Sequence, residues 1–324
     1  MNFDKAKLAH FGKNSGGKAL RGLSTAFSLL ILYGIAFMII YPFLFMIVSA
    51  FRGREDVMNP TIVWVTRNFT LEHMEYVFDF MKYPELITNT LLIVVGSTVF
   101  TVLISSLVGY GFARFQFPGR GVLFALLIFT LIVPASTYIT PLYLNMRAFE
   151  VPVISQIINL ISPGAGTFKL INTPFAFWLQ ALLGMGFRSG LFIFIFRQFY
   201  RGMPKELESA ALIDGCGAYK TYLKVMLPNA RMTVVTVMLF SIVWYWNDYY
   251  TTSVLSTDKR TIAMGLASLR NAIWSAPGAD AGNVLLMQVR VQAGALISVL
   301  PMLILFIITQ RFFTESVERS GIVG

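Results

Sequence analysis

One cysteine, two histidines and very little charge leave few kinds of chemistry open to this 324-residue chain. Cys216 alone cannot close an internal disulfide, and His10 and His73 are too few for a metal centre of the usual nitrogen and sulfur kind. Charged residues make up only 13% of the sequence, against the roughly 25% that soluble domains carry. Intramembrane acids are scarce as well. The candidates for ionisable groups inside apolar runs are Arg188, in "GMGFRSGLF", and Asp248, near the outer end of another run, a poor supply for a proton or sodium relay. The ten-residue alternating segments of a membrane β-barrel are missing too. The basic residues are dispersed rather than gathered with stacking aromatics, so the net charge of +10 does not point to nucleic acid.

What fills the chain instead is hydrocarbon: 56% of its residues are hydrophobic. A helix needs about 20 apolar residues to cross a bilayer core. Six runs qualify, at approximately 24–50, 89–112, 121–145, 174–199, 230–252 and 291–313. The first is too long for a signal-peptide core and lacks a small-residue cleavage pattern, so it reads as a retained span. Every span must satisfy its backbone internally, so the expected fold is an all-α membrane protein with six transmembrane helices. Pro134, Pro141 and Pro301 fall inside spans and are expected to bend them.

With both termini on one side, that side holds fifteen of the 26 Lys and Arg residues and the other holds ten. The Lys/Arg bias therefore favours both termini in the cytoplasm. The implied organisation is a cytoplasmic tail over 1–23, a transmembrane domain over 24–313 and a cytoplasmic tail over 314–324. The stretch 148–173, with "SPGAGTFK", reads as an external loop. In the first tail, "GKNSGGKA" (Gly12 to Ala19) has phosphate-loop spacing, but no buried strand precedes it and Ala19 stands where a hydroxyl is needed. It reads as a flexible basic tail.

One polar segment stands apart, "ELESAALIDGCGAYKTYLKVMLP", Glu206 to Pro228. Pro204 suits a first helical turn, Leu207, Ala210, Ala211 and Ile213 give a small-residue apolar face, and Asp214 and Gly215 provide a stop. A second helix follows, with Tyr219, Tyr222, Leu223, Met226 and Leu227 recurring at three and four, and Pro228 expected to end it. Helix, glycine turn, helix makes a protrusion fit for docking. A surface-lying amphipathic connector has the same periodicity.

The segment "SAALIDGCGAYKTYLKVMLP" resembles the E-A-A, D-G, L-P loop of ATP-binding-cassette importer permeases, in particular the six-span subunit of carbohydrate importers. "RQFYRGMPKELE", "WYWNDYY", "YGFARFQFPGRG", "PLYLNM" and "QRFF" fall in family order over about 90–324. The resemblance implies a type I ABC importer permease fold and gives the loop the role of a coupling helix, seated in a cytoplasmic ATPase. Position by position, Ala210 and Ala211 match the two alanines, Asp214 and Gly215 the D-G pair, and Leu227 and Pro228 the closing L-P. The family's glutamate falls at Ser209, with Glu208 one place earlier, so any ion pair it makes must come from Glu208, be replaced, or be absent. Val323, in the C-terminal tail, stands where many members have lysine.

The resemblance further implies partners: a second homologous permease subunit, two ATP-binding-cassette ATPase subunits that bind ATP and magnesium, and an extracytoplasmic solute-binding protein meeting the loops around 52–88 and 253–290. No cofactor is expected on this chain, and no catalysis. The implied location is a bacterial or archaeal cytoplasmic membrane, and the implied cargo a sugar or oligosaccharide. Sugars are held by aromatic stacking and by groups that donate and accept hydrogen bonds, which makes Tyr138, Tyr143, Asn145, Trp244, Asn247, Asp248 and Tyr249 candidates for the pathway. Tyr249 and Tyr250 equally suit membrane anchoring. Arg188 fits an acidic sugar, or a structural pairing where Gly184 and Gly186 loosen the helix. An ion-coupled carrier and a permease for a non-sugar solute are the alternatives.

Overall fold

A computed structural model describes residues 4–59, 61, 62, 64–151, 154–162, 166–278 and 282–320. In chain order the helices are α1 (Asp4–Ala50), α2 (Arg54–Met58), α3 (Glu72–Phe80), α4 (Tyr83–Arg114), α5 (Arg120–Phe129), α6 (Ala135–Arg147) and α7 (Ile154–Ile161). They continue with α8 (Phe175–Leu182), α9 (Ser189–Gly202), α10 (Glu206–Ile213), α11 (Ala218–Thr221), a π-helical turn Tyr222–Met226, and α12 (Leu227–Asn229). The last are α13 (Arg231–Asn247), α14 (Tyr250–Leu255), α15 (Ile262–Trp274) and α16 (Val284–Ser320). Two short strands, β1 (Phe149–Glu150) and β2 (Thr167–Phe168), pair antiparallel around α7. The stretch 148–173 is thus a small structured hairpin carrying a helix, not a plain loop; Pro163 to Ala165 of "SPGAGTFK" lie outside the described residues. The backbone of Gly12–Ala19 lies in α1, so the phosphate-loop spacing there belongs to a helix rather than to a loop or a flexible tail. Val323 lies outside the described residues.

By length and composition three helices can cross a membrane on their own: Gly22–Ala50, Tyr83–Arg114 and Val284–Gln310. The other three apolar runs are interrupted. The third run splits at residues 130–134, where Pro134 caps α6 in an extended conformation. The fourth splits between α8 and α9, and the fifth at Asp248 between α13 and α14. Ala218–Asn229 and Arg231–Asn247 form a further pair bent by 77°. Interrupted helices at membrane depth are tolerated where side chains and neighbouring helices satisfy the freed backbone groups.

The chain forms two compact units. The first, Met1–Tyr76 with Gly282–Leu296, holds a knot of polar structure at the end of α1. The Asp56 carboxylate accepts hydrogen bonds from the Arg67 and Asn68 backbone N–H groups at 2.6 and 2.8 Å and from the Thr66 hydroxyl at 2.7 Å. These donors, the Asn68 backbone first, hold Asp56 below the usual carboxylate range. Nearby, His73 is fully buried, with its ring beside the Arg52 backbone. Burial pushes its pKa down, with Arg290 and Arg54 adding to the effect and Glu72 opposing it.

The second unit, Val77–Ala281 with Ile297–Gly324, is built on α4, which packs against α8, α9 and α13. Its buried face is a stripe of small polar residues, Thr90, Ser97, Thr98, Thr101, Ser105 and Ser106, the composition that lets membrane helices approach closely. A Cβ on Gly109 would stand 2.6 Å from Phe196 Cβ, so α4 and α9 touch there backbone to side chain. The indole of Trp178 donates to the Leu92 carbonyl at 2.9 Å, and that of Trp246 to the Ser298 carbonyl at 3.3 Å. One apolar cluster gathers Leu86, Ile93, Phe177, Tyr245 and Trp246; another gathers Tyr110, Phe192, Phe196, Tyr200, Tyr222 and Met226.

A pH dependence follows for the first unit. The folded His73 binds a proton less readily than an unfolded one, so nothing is lost above the ordinary value of 6.5, and stability falls as pH drops below it. The Asp56 bonds are lost only at lower pH, below its ordinary value of 3.8. Hydrogen exchange over 51–76, corrected for intrinsic rates, should show easier opening as pH falls from about 7.5 to about 5.5. His73→Gln should remove that slope; an unchanged slope in the variant would refute the assignment.

Candidate functional site

The segment singled out in the sequence is a knob with two faces. Helix α10 ends in a Schellman turn: Asp214 is the C-cap, Gly215 adopts φ +77°, the Cys216 N–H donates to the Ala211 carbonyl at 2.9 Å, and the Gly215 N–H to Leu212 at 3.1 Å. The expected helix, glycine turn, helix is therefore present. The second helix differs from expectation. It passes through a π-helical turn at Tyr222–Met226 and runs on through Pro228, which sits in the first turn of α12, before bending at Ala230. Pro228 opens a turn rather than closing the helix, because the wider π turn hands over its backbone bonds just ahead of the missing N–H.

The inward face is polar and interlocked. Ser106 on α4 meets the Tyr200 hydroxyl of α9 at 2.7 Å and accepts from the Tyr222 hydroxyl of the π turn at 3.0 Å. Tyr110 packs its ring on both tyrosines, with centroids 5.6 and 5.2 Å away. At the last turn of α4, Arg114 donates to the Met203 carbonyl at 2.7 Å and stands 3.5 Å from Glu208, with side chains 7% and 19% exposed. Glu208 thus faces its own chain's α4. Ser209, at the family's glutamate position, is exposed, its hydroxyl 3.3 Å from the Lys205 carbonyl. Ala211 is buried against the same support, whereas Ala210 and Asp214 are exposed and Leu227 is half-buried. The outward face is apolar: Leu207, Leu212, Ile213, Tyr219 and Leu223 are all exposed.

The pathway candidates divide. Tyr138 and Asp248 share a cavity of about 30 Å³ with Phe177, Gln180, Met185, Gly186, Phe187, Tyr245 and Thr251. Asp248 is buried and its carboxylate accepts the Thr251 N–H at 3.0 Å, so it also holds the start of α14. The Tyr245 hydroxyl accepts the Phe187 N–H at 3.1 Å, fixing the break between α8 and α9. Arg188 stands at that break with φ +59°, exposed, its guanidinium 5.5 Å from the Trp244 ring. Tyr138 lies within the electrostatic reach of both Asp248 and Arg188. Tyr143 instead packs on the core, Asn145 and Tyr249 are exposed away from the cavity, and Asn247 is exposed and donates to the Val243 carbonyl of its own helix at 2.8 Å. Gln180 and Thr251 were not expected. The signal for Gln180 was its place as the lone polar residue in "FAFWLQALLG"; Thr251 had none, because its position depends on the break at Asp248. A larger cleft, about 320 Å³, is lined by Lys82, Glu85, Asn89, Asp258, Arg260 and Ser268 beside Phe80.

No protein-family model matches the chain. Curated proteins do. The chain is 29% identical over 295 residues to the arabinooligosaccharides transport system permease protein of Halalkalibacterium halodurans, covering 90% of this chain and 93% of that protein. It is 26% identical to the lactose transport system permease protein of Rhizobium radiobacter, over 88% of this chain and 92% of the relative. Among solved structures, the fold matches a chain of a bacterial ABC transporter involved in the import of the acidic polysaccharide alginate, with a TM-score of 0.70 over 92% of this chain and 98% of that one, at 19% identity. The chain's relatives are ATP-binding-cassette transporter permeases, and its fold is that of an importer permease. The resemblance carried by the knob, the W-N-D segment and the flanking motifs is borne out along nearly the whole permease.

The turn of this permease gives a prediction. No atom would meet a Cβ on Gly215, so Gly215→Ala costs only the left-handed backbone, about 1–2 kcal/mol, and Gly215→Asn costs less because Asn visits that region. ATPase activity coupled to transport should fall in the order wild type, Asn, Ala. An alanine variant coupled like the wild type would remove the role assigned to the turn.

Proposed function

We propose that this permease carries a sugar or oligosaccharide inward across a bacterial or archaeal cytoplasmic membrane as one half of a heterodimeric pathway. The second half is a homologous permease, and two partner ATPases supply the energy. The observation that carries the reading is the two-faced knob. Its outward face offers Leu207, Ala210, Leu212, Ile213 and Tyr219 to a partner, while its inward face is tied to α4 and α9 through Glu208, Tyr222 and Ala211. A surface-lying connector needs no such tie. Ser209 takes the family's glutamate place, and with Glu208 spent on Arg114, docking rests on shape and apolar area, with Glu206 and Asp214 as the knob's exposed carboxylates. Leu227 and Pro228 set the bend at which the knob meets α13.

In this reading both termini and the knob are cytoplasmic, and six crossings comprise three continuous helices and three interrupted ones. ATP and magnesium bind at the partners, and this chain performs no catalysis. The charge-balanced cleft at Lys82, Glu85, Asp258 and Arg260 brings the two external loops together on the face where a solute-binding protein would dock. Sugar as cargo is supported by the relatives' cargo and by the chemistry around the breaks, where Tyr138, Gln180, Thr251 and Asp248 offer donors and acceptors beside aromatic rings. Asp248, the buried acid of this region, is engaged by a backbone N–H, which fits a structural anchor better than a proton carrier.

Arg188 distinguishes acidic from neutral cargo. It is an exposed cation seated on Trp244 at a helix break. In proteoliposomes holding the assembled importer, Arg188→Gln should weaken uptake of uronate oligosaccharides by about tenfold or more and leave neutral ones unchanged. Equal loss of both would make Arg188 a structural residue, and uptake that follows an ion gradient without ATP would overturn the importer reading itself.

A further inference from the structure

Three arginines meet where α5 begins and α9 ends. The guanidinium of Arg197 lies 3.8 Å from the centre of the Phe124 ring, and its Nε is buried without a hydrogen-bond partner. Among the described residues its one hydrogen bond to a side chain is a long one, 3.4 Å, to Gln198. The charges acting on it are those of Arg120 and Arg201, and among the described residues none of the three is in an ion pair. Arg120 spends one nitrogen on the Phe115 carbonyl at 3.0 Å. Like charges crowded at the edge of an apolar surface call for an anion. They lie on the side that the Lys/Arg bias places in the cytoplasm, at the start of apolar α5 and in the last turns of α9.

A second feature starts at the same place. Helix α5 has no buried residue, and Val122, Leu123, Leu126 and Phe129 make one exposed apolar track along it. Ten residues of helix give a track about 15 Å long. Phe112, Phe117, Phe124 and Phe194 form a chain of ring contacts beside the arginines. Cationic head and apolar track together match one molecule: a phospholipid with an anionic headgroup.

We infer that Arg120, Arg197 and Arg201 bind the phosphate of an anionic phospholipid of the cytoplasmic leaflet, with one acyl chain lying along the exposed face of α5. Anionic headgroups are held by basic clusters between membrane helices on this side, at about a fivefold gain in affinity for each arginine engaged. The lipid neutralises the cluster and fixes the α4–α5 connection, which lies next to Arg114, the residue that holds the knob.

The test uses the full chain, purified in mild detergent with the subunits that accompany it. Phosphatidylglycerol and phosphatidylcholine of identical acyl chains are added, and bound lipid is counted by native mass spectrometry. The wild type should retain phosphatidylglycerol in preference. Arg197→Gln with Arg201→Gln should lose that preference by an order of magnitude or more, whereas Arg231→Gln, a basic residue elsewhere on the same side, should keep it. An unchanged preference in the double variant overturns the inference, and so does competition by free inorganic phosphate, which would mark a plain anion site. A photo-activatable residue at Leu123 in the otherwise unaltered chain checks the track without risk to folding. Capture of phospholipid supports the site; capture of protein alone overturns it.

Discussion

A single ion pair, Arg114 with Glu208, decides what the rest of this molecule can do. It joins the last turn of α4 to the first helix of the knob, and both side chains are largely withdrawn from water. Removing one partner of such a pair leaves the other charge in poorly hydrated surroundings. Around it α4 is also joined to α9 and to the knob's π turn by Ser106, Tyr200, Tyr222 and the ring of Tyr110. A force applied to the exposed apolar face of the knob therefore reaches α4 and α9 directly. Helix α4 is also the one against which α8, α9 and α13 pack, so the knob and the helix breaks near Asp248 and Arg188 rest on one element.

The breaks are the second half of the account. Continuous apolar helices cannot place polar side chains in a pathway without leaving them against hydrocarbon. Here the interruptions at Pro134, Arg188 and Asp248 turn Tyr138, Gln180 and Thr251 toward one small cavity. Two of the breaks are held by side-chain bonds: the Tyr245 hydroxyl of α13 accepts the Phe187 N–H at the break before α9, and the Asp248 carboxylate accepts the Thr251 N–H at its own break. That cavity holds only about 30 Å³ and is walled by residues of α6, α8, α13 and α14 and of the break between α8 and α9.

Much of this was legible in the sequence, for reasons that differ by element. The knob could be read because its signals are local: apolar spacing, a glycine where positive φ is needed, and motifs in family order. The long spans could be read because hydrocarbon thickness sets a length. The interruptions of the third, fourth and fifth runs could not, since whether a Pro or Gly bends a span or ends it depends on the neighbours that satisfy the freed backbone. The π turn was invisible for the same reason: Tyr222 is drawn inward by Ser106, more than a hundred residues away in the chain. Glu208 was noticed as an offset from the family pattern, but its partner Arg114 lies on another helix and leaves no local trace. Asn247, a motif residue, donates to the carbonyl of Val243 on its own helix, a local bond that the motif does not announce.

The central claim is that the knob and the inner end of α4 move as one. Pulsed electron-spin measurements between the native Cys216, which is half-buried, and a label at Gln116→Cys, on the exposed segment just beyond α4, test it directly. In the assembled transporter the account predicts one narrow distance, the same with and without nucleotide at the ATPases. A distance that changes or broadens with the nucleotide state would contradict it.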